Sequence, residues 1–163
     1  MTDTPQHPKT ARRFDYVRAA AGGYHAMLGL ESYLHTCGLE DGLIALVKLR
    51  VSQINGCAFC IDMHWKDLRA LGETEQRLYS LDAWHECPWY TPRERAALLW
   101  AEAVTRLGDG HVSDEVYRTV GEHFDEAGLS NLTLVVATIN AWNRLVIASR
   151  TPAGSYQPVR RAG

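Results

Sequence analysis

The sequence predicts an all-α fold in a single domain, built from about seven to eight helices. Three observations carry this. Apolar residues recur at three- and four-residue spacing through most of the chain. Helix-start and helix-stop signals separate the apolar stretches. No segment alternates with the period of two, between turn residues, that a strand requires.

Each element follows from its residues. Residues 1–12 are polar and aperiodic and read as a loose tail, so the domain is placed at 13–150. Phe14, Val17 and Ala21 make a short stripe that Gly22-Gly23 should break. The next helix runs from Tyr24 to Cys37, with Met27, Leu28, Leu30, Glu31 and Leu34 on one face and Gly38 as its stop. Glu40-Asp41 suits the positive start of a third helix. Leu43, Ile44, Leu46, Val47, Leu49, Val51 and Ile54 surround that helix, which predicts a central buried position. Asn55-Gly56 ends it, because both residues tolerate the left-handed conformation.

A fourth helix carries Cys57, Cys60 and His64 and continues through Leu68 to Gly72. A shorter one spans Thr74 to Trp84. Pro88 marks a linker, and Thr91-Pro92-Arg93-Glu94 reads as a capping box with proline at the first helical position. That helix should stop at Gly108-Asp109-Gly110. Ser113-Asp114-Glu115 opens another, running through Val120 and Phe124 to Gly128. The last spans Ser130 to Ser149 and is apolar on most sides, as a core or interface helix would be. The segment 151–163 reads as a second loose tail.

Composition narrows the functional classes. The 163 residues carry a net charge of −2 and no basic block. Nucleic acid and anionic membrane surfaces are therefore excluded as main partners. No apolar run approaches the roughly 18 residues of a membrane span. The N-terminus lacks a signal core, which predicts a cytoplasmic protein. Four cysteines are too few for a disulfide scaffold, and in a reducing compartment a close pair is catalytic or metal-binding.

The close pair is Cys57 and Cys60, with His64 four residues on. On a helix these positions are i, i+3 and i+7, one face. A thiolate is the reactive form of cysteine, and its formation is favoured by a helix N-terminus and by an imidazole that accepts the proton. A Cys60 thiolate could attack a peroxide oxygen, and Cys57 could condense with the resulting sulfenic acid. Two other readings stand beside this one. Zinc would need a fourth ligand, with His85 or Cys87 as candidates. The cysteines could also be small core residues, as Cys37 and Cys87 are taken to be. His7, His25, His35, His85, His111 and His123 share no spacing. Glu31, Glu94, Glu102, Asn140, Asn143 and Arg144 lie beside apolar stripes and suit caps, buried hydrogen bonds or interface pairs.

The run Leu49-Arg50-Val51-Ser52-Gln53-Ile54-Asn55-Gly56-Cys57-Ala58-Phe59-Cys60-Ile61-Asp62-Met63-His64 resembles the core of the AhpD-like alkylhydroperoxidases, within the carboxymuconolactone decarboxylase superfamily. Glu94-Arg95-Ala96-Ala97-Leu98, Trp100-Ala101-Glu102-Ala103 and Ile139-Asn140-Ala141-Trp142-Asn143-Arg144-Leu145 extend the resemblance over residues 14–150. The resemblance implies a helical fold assembling as a homotrimer or hexamer. It implies reduction of alkyl hydroperoxides with no metal, haem or flavin, and recycling by an external dithiol reductant. In family terms Cys60 attacks the peroxide, Cys57 resolves, and His64 relays the proton. Redox sensing or disulfide exchange with little turnover is the alternative. Two family positions differ: Ala45 replaces the relay glutamate, and Phe59 replaces a histidine before the second cysteine. Glu31 or Glu102 is the candidate to supply the acid from a neighbouring helix.

Overall fold

The computed structural model describes residues 11–107 and 110–158. The tail at 1–10 with His7, the stop at 108–109 and the end of the C-terminal tail lie outside the described residues. Every regular element among the described residues is helical, as the apolar periodicity predicts. In order these are α1 (Tyr16–Ala19), α2 (Ala21–Leu34), α3 (Asp41–Asn55), α4 (Ala58–Ala70), α5 (Glu75–Tyr79), a 3₁₀ segment (Leu81–Glu86), α6 (Pro92–Thr105), α7 (Asp114–Gly121) and α8 (Glu126–Ser149).

α3 is the axis of the fold. Every residue from Leu43 to Ser52 is buried. It packs against α4, α6 and α8, and it divides the interior into two compartments. On one side Ile44, Val47 and Val51 meet Ala97 and Ala101 of α6 and Val135, Val136 and Ile139 of α8. On the other, Leu46 and Leu49 meet Leu68, Leu78, Leu81, Trp84 and Leu98. Burying a leucine fully contributes roughly 1.5–3 kcal/mol, so these two layers fix where the flanking helices sit.

Several boundaries move from their sequence positions. The first break falls at Ala20 (φ −130°, ψ 49°), and Gly22-Gly23 sit inside the first turn of α2. Asp15 starts α1 by accepting from the amides of Val17 and Arg18, and the helix ends at its C-cap Ala20, ahead of the glycines. α2 closes at Leu34 rather than Cys37. The helix expected at Thr74–Trp84 splits into α5 and the 3₁₀ segment. α7 stops at Gly121, and α8 begins at Glu126 because the Asp125 carboxylate accepts from Gly128 N at 2.7 Å. A side-chain cap outweighs the glycine at 128. The Thr91–Glu94 capping box is present, with Pro92 at the first position.

α8 is 24 residues long with mean hydropathy 1.3 over its most apolar window, long and apolar enough by those measures to cross a membrane. That corrects the reading that no stretch of the chain approaches a span. The helix nevertheless buries Asn131, Thr138, Asn143 and Ser149 along with its aliphatic residues, and it packs on α2, α3 and α6. Those contacts are what a central helix of a helical bundle makes.

Candidate dithiol site

The turn from α3 into α4 sets the geometry. Gly56 adopts φ 67°, ψ 34°, a left-handed conformation that costs a residue with a Cβ and costs glycine little. The amides of Gly56 and Cys57 then donate back to Gln53 O (3.1 Å) and Ser52 O (3.0 Å), closing α3. One residue later Cys57 is the N-cap of α4, and its carbonyl accepts from Ile61 N at 2.9 Å. Cys57 therefore stands just outside the helix rather than within its first turn. The first turn of α4 holds no acidic side chain, so its positive end faces the sulfur chemistry unneutralised.

Cys57 and Cys60 are joined in a disulfide, with Cα atoms 5.3 Å apart. Both are essentially inaccessible, at 0% and 1% exposure, and they form part of the first core compartment. His64 lies on the same face and is also buried. The sequence pattern thus identifies three residues that the fold brings to one buried face.

Asp67, Tyr156 and Lys48 carry no sequence signal of their own, yet the fold places them about His64. Asp67, one turn further along α4, places Oδ2 3.6 Å from His64 Nδ1. That separation is longer than a hydrogen bond and acts through charge. The other oxygen of Asp67 accepts from Tyr156 OH at 2.6 Å. Lys48, buried in α3, pairs with the Glu31 carboxylate from α2. Trp142 Nε1 of α8 donates to the other Glu31 oxygen at 2.9 Å.

These charges act on the imidazole unequally. Burial dominates and lowers the His64 pKa, since a cation is costly in the interior. Asp67 raises it, Lys48 lowers it and Glu31 raises it. For Asp67 itself, burial raises the pKa, but His64 and Tyr156 together hold the carboxyl below its usual value. His64 Nε2 is buried with no hydrogen-bond partner among the described residues.

Of the two acids proposed to replace the relay glutamate, Glu31 reaches the electrostatic environment of His64. Glu102 serves elsewhere. Its carboxylate takes Arg50 Nη2 at 2.7 Å and Trp84 Nε1 at 2.9 Å, with His85 and Arg106 at 3.4 Å. Arg50 is buried and also pairs with Asp82 at 2.8 Å. Burial raises the Glu102 pKa, but Trp84 and Arg50 outweigh it and hold the carboxyl low. Asn140 and Asn143 join the dithiol turn directly: Asn55 Nδ2 donates to their side-chain oxygens at 2.9 and 2.8 Å, and Asn143 Nδ2 donates to Ser52 Oγ at 3.1 Å.

Among the described residues no group of three or more His, Cys, Asp and Glu side chains is placed to hold a metal ion. His85 lies stacked on Trp84, and Cys87 packs against the second core compartment, so neither is assembled with the Cys57–Cys60 pair. Cys37 packs against the first compartment.

Comparison with known proteins gives the family and the fold. The model of the carboxymuconolactone decarboxylase family matches residues 21–103, which take in Cys57, Cys60 and His64. The chain is 45% identical over 145 residues to the uncharacterized protein YdfG of Bacillus subtilis (strain 168), covering 89% of this chain and 99% of that protein. It is 28% identical over 115 residues to the uncharacterized protein YnjA of Escherichia coli (strain K12), covering 71% of this chain and 63% of YnjA. A solved structure from Agrobacterium tumefaciens, of a protein of unknown function provisionally described as the antioxidant defence protein AhpD, superposes with a TM-score of 0.86 at 38% identity. It covers 90% of this chain and 100% of that one. An uncharacterized peroxidase-related protein with an alkylhydroperoxidase AhpD core, from Ralstonia eutropha JMP134, gives a TM-score of 0.75 at 18% identity over 85% of this chain and 74% of its own, a likeness of fold alone. The chain belongs to the carboxymuconolactone decarboxylase family and has the AhpD-like helical fold.

Proposed function

We propose that the chain is a thiol-dependent hydroperoxidase that reduces alkyl hydroperoxides through Cys57 and Cys60. The observation that supports this most is a Cys57–Cys60 disulfide at a helix N-terminus, one turn before a buried histidine whose Nε2 has no partner among the described residues. In the reduced protein His64 takes the proton of the Cys60 thiol. The thiolate attacks the terminal peroxide oxygen, the O–O bond breaks, and Cys60 becomes a sulfenic acid. The alkoxide leaves as alcohol with the proton from His64. The Cys57 thiol then attacks the Cys60 sulfur and releases water, and the pair reaches the disulfide state. An external dithiol reductant supplies the two electrons that reopen it. Its oxidation product is its own disulfide.

The test is consumption of an organic hydroperoxide in the presence of a dithiol such as dithiothreitol. Wild type should turn over, and Cys60→Ser should fall to the rate of the reductant alone. Equal rates for the two proteins would overturn the reading.

The burial of both sulfurs favours a second reading, redox sensing or disulfide exchange with little turnover. A sensor consumes about one peroxide per chain and then stops even when reductant is in excess. The proposal places the protein in the cytoplasm as a homotrimer or homohexamer. Support for assembly comes from α2, whose 14 residues bury only Leu34 while Leu28 and Tyr33 stay exposed. Light scattering on the purified protein measures that mass directly.

A further inference from the structure

After α8 the chain reverses at Arg150, whose φ of 55° is left-handed, and runs back along α4. Its anchors fall on successive turns of the helix that carries the dithiol. Gly154 N donates to Asp62 Oδ2 at 3.2 Å. Lys66 Nζ donates to the carbonyls of Gly154 (3.3 Å) and Tyr156 (3.1 Å) while pairing with Asp62 at 2.9 Å. Tyr156 OH donates to Asp67 Oδ1 at 2.6 Å, and the second oxygen of Asp67 faces His64 Nδ1. Hydrogen bonds therefore run from the C-terminal segment to Asp67, whose second oxygen lies 3.6 Å from the imidazole and acts on it through charge.

We infer that Asp67 and Tyr156 are positioning residues for His64, the Tyr156 phenol locking the Asp67 carboxylate beside Nδ1 so that Nε2 is left as the proton acceptor for Cys60. The inference rests on the proposed role of His64 as the base. A neutral imidazole carries one proton, and a carboxylate beside Nδ1 selects the tautomer with that proton on Nδ1. The lone pair is then on Nε2, a buried atom without a partner among the described residues. When the Cys60 proton arrives there, the ring becomes a buried imidazolium. Asp67 from α4 and Glu31 from α2 offset that charge, while Lys48 from α3 opposes it. Tyr156, from the C-terminal segment, acts one step further out, through Asp67. With Glu31 already paired to Lys48 and Trp142, Asp67 is the carboxylate that contacts the ring. It stands in for the relay glutamate that Ala45 replaces.

The experiment follows the reactivity of Cys60 rather than peroxide turnover. The full chain is reduced, freed of reductant and alkylated with iodoacetamide across the pH range in which imidazoles and thiols titrate, with Cys60 modification read by mass spectrometry. Asp67→Asn should slow Cys60 alkylation about tenfold at neutral pH, the low end of what loss of an outer-shell partner costs a metal-bound histidine, and Tyr156→Phe should slow it by less. Both should recover the wild-type rate at high pH, because only the midpoint moves upward. A tyrosine that merely tied down the chain end would change the melting temperature and leave that midpoint in place. Unchanged midpoints in the folded variants would overturn the inference, and Tyr156→Phe decides if Asp67→Asn does not fold. His64→Gln separates the two levels of argument. If His64→Gln shifts the midpoint and the other two do not, only the positioning role fails. A wild-type midpoint in His64→Gln means that the base assignment itself is wrong, and the positioning role falls with it.

Discussion

Lys48 of α3 and Glu31 of α2 form an ion pair in which the lysine is the more deeply buried partner, its side chain 6% exposed against 20% for the glutamate. That asymmetry decides which loss is worse. Removing the carboxylate leaves a cation in the interior, whereas removing the lysine leaves a carboxylate that reaches solvent and keeps the indole of Trp142. Glu31→Gln should therefore destabilise by about 3 kcal/mol and Lys48→Met by clearly less, measured by urea denaturation of the oxidised protein.

The same pair bears on the site, and Glu102 supplies the control. Glu31→Gln removes a charge that favours the His64 imidazolium, so Cys60 alkylation should shift to higher pH. Glu102→Gln disturbs Arg50 and Trp84, which belong to another network. It should lower the melting temperature and leave the Cys60 pH profile where it is.

His64 also makes stability depend on pH. Its pKa in the folded chain is lowered by burial, so the unfolded chain binds the proton more readily. Stability attributable to this group is complete above about pH 6.5 and is lost as pH falls toward the folded pKa, with a slope of at most about 1.4 kcal/mol per pH unit. His64→Gln should flatten the difference in stability between neutral and mildly acidic buffer. An unchanged difference would place the acid sensitivity elsewhere.

Removing one sulfur at a time separates their roles. Cys57→Ser should consume about one equivalent of peroxide and leave a sulfenic acid on Cys60 that dimedone traps. Absence of the dimedone label from Cys60 would contradict the assignment of nucleophile and resolver.

Asn143 is fully buried and links α8 to Asn55 and Ser52 at the turn that presents Cys57. Asn143→Ala leaves the Ser52 hydroxyl short of a donor and the Asn55 amide short of an acceptor. The cost should be about 2 kcal/mol, read as a lower denaturation midpoint.

Some of this was legible in the chain because it depends on neighbours in sequence. The i, i+3, i+7 spacing puts Cys57, Cys60 and His64 on one face of any helix they share. Asn55-Gly56 ends α3 by backbone sterics, and Thr91 and Glu94 cap α6 through bonds three residues apart. The apolar residues all around α3 require burial wherever the other helices lie.

The surroundings of the site were decided by tertiary structure. The Glu31 and Lys48 charges meet only because the fold brings side chains of α2 and α3 together across 17 residues, and Asn55 meets Asn143 across 88 residues. Tyr156 lies in a segment whose composition gives no helical or strand period, and it is held by Asp62, Lys66 and Asp67 of α4. Hydrogen bonds and ion pairs between distant segments leave no periodic trace, since any polar residue beside an apolar stripe can make them. Local spacing therefore determines which sulfurs and which imidazole share a face, and packing determines which charges poise them.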